Sequence, residues 1–274
     1  MAINWTNAKG AQITVQGQSL EYGCWGPAPH KAPTLVLLHE GLGSVAQWKD
    51  VPAQLAERTG FGVFAYSRAG YGGSDPVPLP RPLDFQTREA EDVLGAVLDA
   101  AGIEHCVLMG HSDGATIAAI YAGSVSDMRV RGLVLIAPHF FTEPAGLDAI
   151  RAAGEAFETG GLKQRLGKYH TNVEVAFKGW HDVWTDPSFA KWNVGDAIDH
   201  WRIPVLAIQG RDDPYGTLAQ IQEIEERIYS PLDTLILDDC GHAPHLEKPQ
   251  ETLAEIAEFC VRLRRLEEDE VKIG

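Results

Sequence analysis

The sequence predicts an α/β fold built on a mostly parallel sheet with helices on both faces. Three observations predict it. Short runs that are apolar at every position recur along the chain and read as strands buried on both faces. Amphipathic helical patterns fall between those runs. One run, Cys106 to Met109, leads into Gly110-His111-Ser112-Asp113-Gly114 and then into a stretch rich in Ala and Ile, which places a serine on a strand-to-helix bend. The 274 residues suit one large α/β unit with an insertion better than two independent units.

Each element follows in order. Gln12 to Gln16 and Ser19 to Trp25 alternate and are divided by Gly17-Gln18, the pattern of an antiparallel hairpin. Continuous apolar runs then lie at Thr34 to Leu38, Gly62 to Tyr66, Cys106 to Met109, Leu133 to Ala137, Val205 to Ile208 and Thr234 to Leu237. Helices are predicted at Phe85 to Ala101, with Val93, Val97 and Leu98 on one face, at Thr217 to Ile228 and at Glu251 to Leu266. Residues 139–201 break the alternation. No strand is legible there, but Leu147, Ile150 and Phe157 share a helical face, and Val173, Ala176, Phe177, Trp180 and Trp184 form another. This segment is expected to be a helical cap inserted between core parts 1–138 and 202–274, above the carboxyl ends of the strands.

Composition excludes some classes. A net charge of −15 argues against nucleic acid and against an anionic membrane surface, since a polyanion needs a basic patch. The N-terminal MAINWTNAKG has no apolar signal core, and no stretch is long enough to cross a bilayer. Cys24, Cys106, Cys240 and Cys260 are scattered without metal-type spacing and read as reduced thiols, so a cytoplasmic location is expected. The expected partner is a small-molecule substrate, with no cofactor and no metal. Oligomeric state is not legible.

The serine bend carries the chemistry. A serine hydroxyl is a weak nucleophile that needs a base within hydrogen-bond reach, and the base needs an orienting partner. On a sheet of this kind the partners follow in the order Ser, acid, His. Of ten histidines, His242 and His245 follow the acidic candidates in the late loops. His242 is the expected base, with His245 as the alternative. The acid belongs after Val205 to Ile208, where the loop reads Gly210-Arg211-Asp212-Asp213-Pro214. Adjacent side chains point apart, so one aspartate faces the imidazole: Asp213 is expected, with Asp212 solvated. The oxyanion needs preorganised donors. One is the backbone N–H of Asp113. The other is that of Gly41, with Leu42 as fallback, in the loop His39-Glu40-Gly41-Leu42-Gly43-Ser44.

With these residues in place, the chain resembles the α/β-hydrolase superfamily over nearly its whole length. The matching pieces are LLHEGLGS, YSRAGYGGSDP (Tyr66 to Pro76), GHSDG, GRDDPYG and CGHAPHLEKP (Cys240 to Pro249). The resemblance implies an eight-stranded sheet with a helical cap and a Ser112–His242–Asp213 triad. Two positions depart from the family pattern. Glu40 follows His39 where glycine is common, which bears on the oxyanion donor. Asp113 follows the serine where an apolar residue is more usual. Relatives with an aspartate nucleophile, such as haloalkane dehalogenases and epoxide hydrolases, place it at the position of Ser112, so Asp113 does not make this chain one of them.

The cap is rich in aromatic residues, most of which are expected to pack it against the core. Phe140, Phe141, Trp180 and Trp184 are expected to line the substrate pocket, since such sites are mostly apolar. The expected activity is a serine esterase acting on a small or medium, partly apolar carboxylic ester through an acyl-enzyme. The alternatives are hydrolysis of a carbon–carbon bond, lactone, thioester or amide by the same triad, or a non-catalytic small-molecule receptor on the same scaffold.

Overall fold

A computed structural model describes residues 3–5 and 9–273, with the backbone alone for Lys9 and residues 267–273. Eight strands form one sheet: β1 (Lys9–Val15), β2 (Gln18–Trp25), β3 (Thr34–Leu38), β4 (Gly62–Tyr66), β5 (Cys106–His111), β6 (Val130–Ile136), β7 (Val205–Gly210) and β8 (Leu232–Leu237). Their order across the sheet is β1-β2-β4-β3-β5-β6-β7-β8. β1 and β2 form the predicted hairpin, β2 runs antiparallel to β4, and all pairs from β4 to β8 are parallel. β3, β4 and β5 are buried at every residue, which is why they read as unbroken apolar runs.

Ten helices are described: α1 (Val51–Thr59), α2 (Phe85–Arg88), α3 (Gly95–Ala101), α4 (Asp113–Ser124), α5 (Pro144–Glu158), α6 (Leu162–Leu166), α7 (Val173–Trp184), α8 (Ala219–Arg227), α9 (Pro244–Glu247) and α10 (Pro249–Ile273). A π-wound turn, Glu89–Leu94, joins α2 to α3, so residues 85–101 form the continuous helix the sequence predicts. Apolar side chains of α1 and α10, among them Leu55, Leu253, Ile256 and Phe259, pack on one face of the sheet. Those of residues 85–101, α4 and α8, among them Leu94, Ile117 and Ile224, pack on the other.

The strand order places the site. The chain moves outward from β3 to β4, then returns past β3 to β5, so the winding direction switches between β3 and β5. Connections leave such a switch point in opposite directions and open a crevice at the carboxyl ends of the strands. Leu38 pairs with Gly110 across the switch, so the loop after β3 and the bend after β5 emerge side by side. Gly210 pairs with Leu237, which brings the loops after β7 and β8 together. α5, α6 and α7 lie within residues 139–201, between β6 and β7, and pack their own apolar cluster from Leu147, Phe157, Phe177, Trp180 and Trp184. A backbone bridge between Phe141 and Asn193 ties the two ends of that segment.

Candidate active site

The bend is built by the residues around Ser112. Ser112 has φ 53° and ψ −120°, a left-handed conformation that a side chain adopts at a cost of order 1–3 kcal/mol. Its N–H donates to Ile136 O at 2.9 Å, which ties the bend to β6. The flanking glycines are steric requirements. A Cβ on Gly110 would lie 2.2 Å from Gly114 O, and one on Gly114 would lie 2.0 Å from Leu38 O. With room for neither, strand and helix approach closely, and Ser112 lines a cavity of about 420 Å³.

Ser112, His242, Gly41 and Asp113 all line this cavity. His242, in the loop after β8, pairs through Nδ1 with Asp213 Oδ2 at 2.7 Å. Asp213 is reinforced by Gln209 Nε2, which donates to Oδ2 at 2.9 Å, and by Tyr215 N–H, which donates to Oδ1 at 2.9 Å. Burial works against the Asp213 charge, but the hydrogen bond and charge of His242 and the Tyr215 N–H outweigh it and hold the carboxyl below its usual range. Asp212 is exposed, as expected. His245 is buried, its Nδ1 has no protein partner among the described residues, and its ring packs against Trp48 and His111. Burial, with the neighbouring His242 and Lys49, lowers it to about 3, which keeps it neutral.

The sequence reading assigned no role to several residues that support this geometry. His111 Nε2 bonds the backbone carbonyl of His242 at 2.7 Å, which fixes the loop that carries the imidazole. The His139 and Tyr215 rings lie 5.8 and 4.7 Å from that of His242. Burial and the nearby His242 lower His139 to about 4. Arg68, fully buried, donates to His39 O at 2.5 Å and to Glu40 O at 3.1 Å and so clamps the loop after β3. The one signal for Arg68 is its place in the Tyr66 to Pro76 segment, next to Ser67 in the loop after β4.

The two departures from the family pattern also acquire contacts. Glu40 Oε2 accepts the N–H of Leu42 at 2.5 Å, so the fallback oxyanion donor is already spent inside its own loop. The N–H groups of Gly41 and Asp113 have no protein acceptor among the described residues. Trp180 lies so close that a Cβ on Gly41 would sit 2.2 Å from its Nε1. Asp113 is fully buried, and its Oδ1 accepts from Gln86 Nε2 at 2.9 Å and Trp184 Nε1 at 3.2 Å. Burial pushes its carboxyl up to about 6, with the Glu40 charge adding and Arg68, Trp184 and Gln86 opposing.

Of the four predicted pocket aromatics, Phe141, Trp180 and Trp184 line the cavity. Phe140 does not. It is fully buried in the core, its ring 6.1 Å from Trp201, and its N–H donates to Gln220 Oε1 at 2.7 Å. Burying such a side chain contributes about 1.5–3 kcal/mol, so core packing decides its direction.

Comparison with known proteins gives the family. Residues 35–256 match the model of the alpha/beta hydrolase family, and the chain belongs to that family. It is 25% identical over 254 residues to the pimeloyl-[acyl-carrier protein] methyl ester esterase of Aeromonas hydrophila, covering 84% of this chain and 96% of that one. It is 31% identical over 185 residues to epoxide hydrolase B of Mycobacterium tuberculosis, covering 67% of this chain and 45% of that one. Among solved structures, a carboxylesterase of the thaumarchaeon Nitrososphaera gargenis superposes with a TM-score of 0.75 at 22% identity, over 93% of this chain and 99% of that one. The enol-lactonase of Burkholderia xenovorans superposes at 0.70 and 20% identity, over 91% and 99%. Those two likenesses are of fold. Hydrolase is the class that family and relatives define. No helix among the described residues is long and apolar enough to cross a membrane.

Proposed function

We propose that this hydrolase cleaves a small or medium, partly apolar carboxylic ester through an acyl-enzyme on Ser112. The observation that carries this reading is the sharing of one cavity by Ser112, on its strained bend, and by His242, paired with Asp213. Asp213 accepts from Nδ1 of His242, which leaves Nε2 as the base. As Ser112 Oγ attacks the ester carbonyl, its proton passes to Nε2. The oxyanion faces the unclaimed N–H groups of Gly41 and Asp113, each worth about 2.7–4 kcal/mol in the transition state. The tetrahedral intermediate expels the alcohol, which takes the proton from His242. Water then gives a proton to His242 and attacks the acyl carbon, and collapse returns Ser112 and the carboxylic acid. Leu42, Leu147, Ile150 and Trp180 supply an apolar wall for the acyl or alcohol part.

The serine at the nucleophile position weighs against epoxide opening, despite the epoxide hydrolase relatives, because those enzymes carry an aspartate there. Pre-steady-state mixing with p-nitrophenyl acetate tests the reading. The expected result is a burst of one p-nitrophenolate per chain, absent in Ser112→Ala. An equal burst in that variant would overturn it.

A further inference from the structure

Carboxylates outnumber cations on the walls of the nucleophile cavity: Glu40, Asp113 and Glu143 line it, with Lys49 as the one ammonium or guanidinium among the described residues. Glu40 lines the cavity beside Gly41. Its Oε2 takes the Leu42 N–H, while Oε1 has no protein donor among the described residues. Asp113 lines the same cavity at the bend. Its Oδ1 accepts from Gln86 and Trp184, and its buried Oδ2 has no protein partner among the described residues. Arg68, the buried cation whose charge acts on both carboxylates, spends its terminal nitrogens on the carbonyl oxygens of His39 and Glu40 and makes no hydrogen bond to either carboxylate among the described residues.

Glu40 is next in sequence to Gly41, and Asp113 follows Ser112, so the two carboxylates belong to residues at the Gly41 and Asp113 N–H groups that the oxyanion is to face. A neutral ester would develop its negative oxygen beside two carboxylates whose ionisation burial already opposes. An ammonium group close to the scissile carbonyl reverses that conflict. It would give Glu40 Oε1 the donor it lacks and bring a positive charge to the same edge of the oxyanion. Trp180, Trp184 and Tyr215 line the same cavity, and aromatic rings favour a cation over a neutral group where it meets their faces.

We infer that the acyl part of the substrate carries an ammonium group next to its carbonyl, as in an aminoacyl ester, and that Glu40 receives it with Asp113 reinforcing the field. This deepens the esterase reading and rests on it for the position of the carbonyl. Leu147 and Ile150 would then hold the side chain of the aminoacyl group.

The test compares benzyl esters of phenylalanine and of 3-phenylpropanoate, which differ by the α-ammonium alone, at near-neutral pH. Binding is read by calorimetry on Ser112→Ala protein, so the result does not depend on the ester being cleaved. The aminoacyl ester should bind roughly ten- to hundredfold more tightly, the range of a charge-assisted hydrogen bond. Glu40→Gln in the same background should erase that preference by weakening the aminoacyl ester while leaving its deaminated partner within about threefold, well inside the tenfold that 1.4 kcal/mol represents. Equal affinity of the two esters would overturn the inference, and that comparison needs no change at Glu40. Equal loss of both on Glu40→Gln would overturn the role of Glu40. An ammonium preference in binding, with no burst from p-nitrophenyl acetate in wild type, would uphold the subsite and sink the esterase reading instead.

Discussion

Gly41→Ala probes the oxyanion loop and the wall above it in one step. Gly41 does not lie in the left-handed region, so alanine is permitted there by the backbone and any effect must come from contact. The new Cβ would lie 2.2 Å from Trp180 Nε1 and 2.4 Å from Cδ1. An ordinary carbon contact is ~3.5 Å, so ring and loop must separate by about 1.3 Å. The indole is a rigid ring packed beside Phe177, so it cannot swing aside like a lysine tip. A misplacement near 1 Å in a catalytic group costs about a hundredfold. Steady-state kinetics on p-nitrophenyl acetate should show that loss in kcat/KM. Trp180→Ala removes the obstacle, so adding Gly41→Ala to that variant should cost less than about threefold, a coupling of about 2 kcal/mol or more. Wild-type kinetics for Gly41→Ala, or the same loss with and without Trp180, would refute the reasoning.

Three further outcomes follow from the same geometry. Asp213→Asn turns an amide toward His242 Nδ1 and disfavours the productive tautomer, so kcat should fall about ten-thousandfold while Asp212→Asn leaves it unchanged; the reverse pattern would exchange their roles. Burial raises the Asp113 carboxyl from 3.8 to about 6, so its contribution to stability is full below about pH 4 and is lost as pH rises through about 6, on the order of 3 kcal/mol. Asp113→Asn, which keeps an oxygen for Gln86 and Trp184, should resist urea better than wild type at pH 8 and lose that advantage at pH 4; a lower midpoint at pH 8 contradicts this. Gly114→Ala drives a Cβ to within 2.0 Å of Leu38 O and should cost more than about 3 kcal/mol, a fall in Tm of roughly 6 °C or more. Gly102→Ala, with φ +66° and open space around it, is the control and should melt well above Gly114→Ala.

The sequence was most informative where one physical demand dominates. β3 and β4 are buried on both faces, so their apolar runs end where the strands end. The serine bend needs glycine on either side for lack of space, and chain order narrows the base to His242 or His245 and the acid to the Asp212–Asp213 pair. Legibility failed where demands compete. β6 begins at Val130, ahead of its apolar run, because half-buried Arg131 interrupts the pattern. β8 begins at Leu232 because, as an edge strand, it leaves Asp233 and Thr234 toward solvent. Phe140 and Phe141 are chemically alike and adjacent, and successive residues face opposite ways: one enters the core and the other the cavity. No spacing rule could show that Glu40 would claim the Leu42 N–H, or that Asp113 would reach Trp184, 71 residues away.

Reaction with a fluorophosphonate, followed by peptide mass mapping, tests the central claim most directly. A nucleophilic Ser112 oxygen served by His242 should give one adduct, on the peptide that contains Ser112, and the adduct should be absent from Ser112→Ala and slow to form in His242→Ala. An unmodified Ser112 peptide in the wild-type protein, or labelling at full rate without His242, would contradict the account.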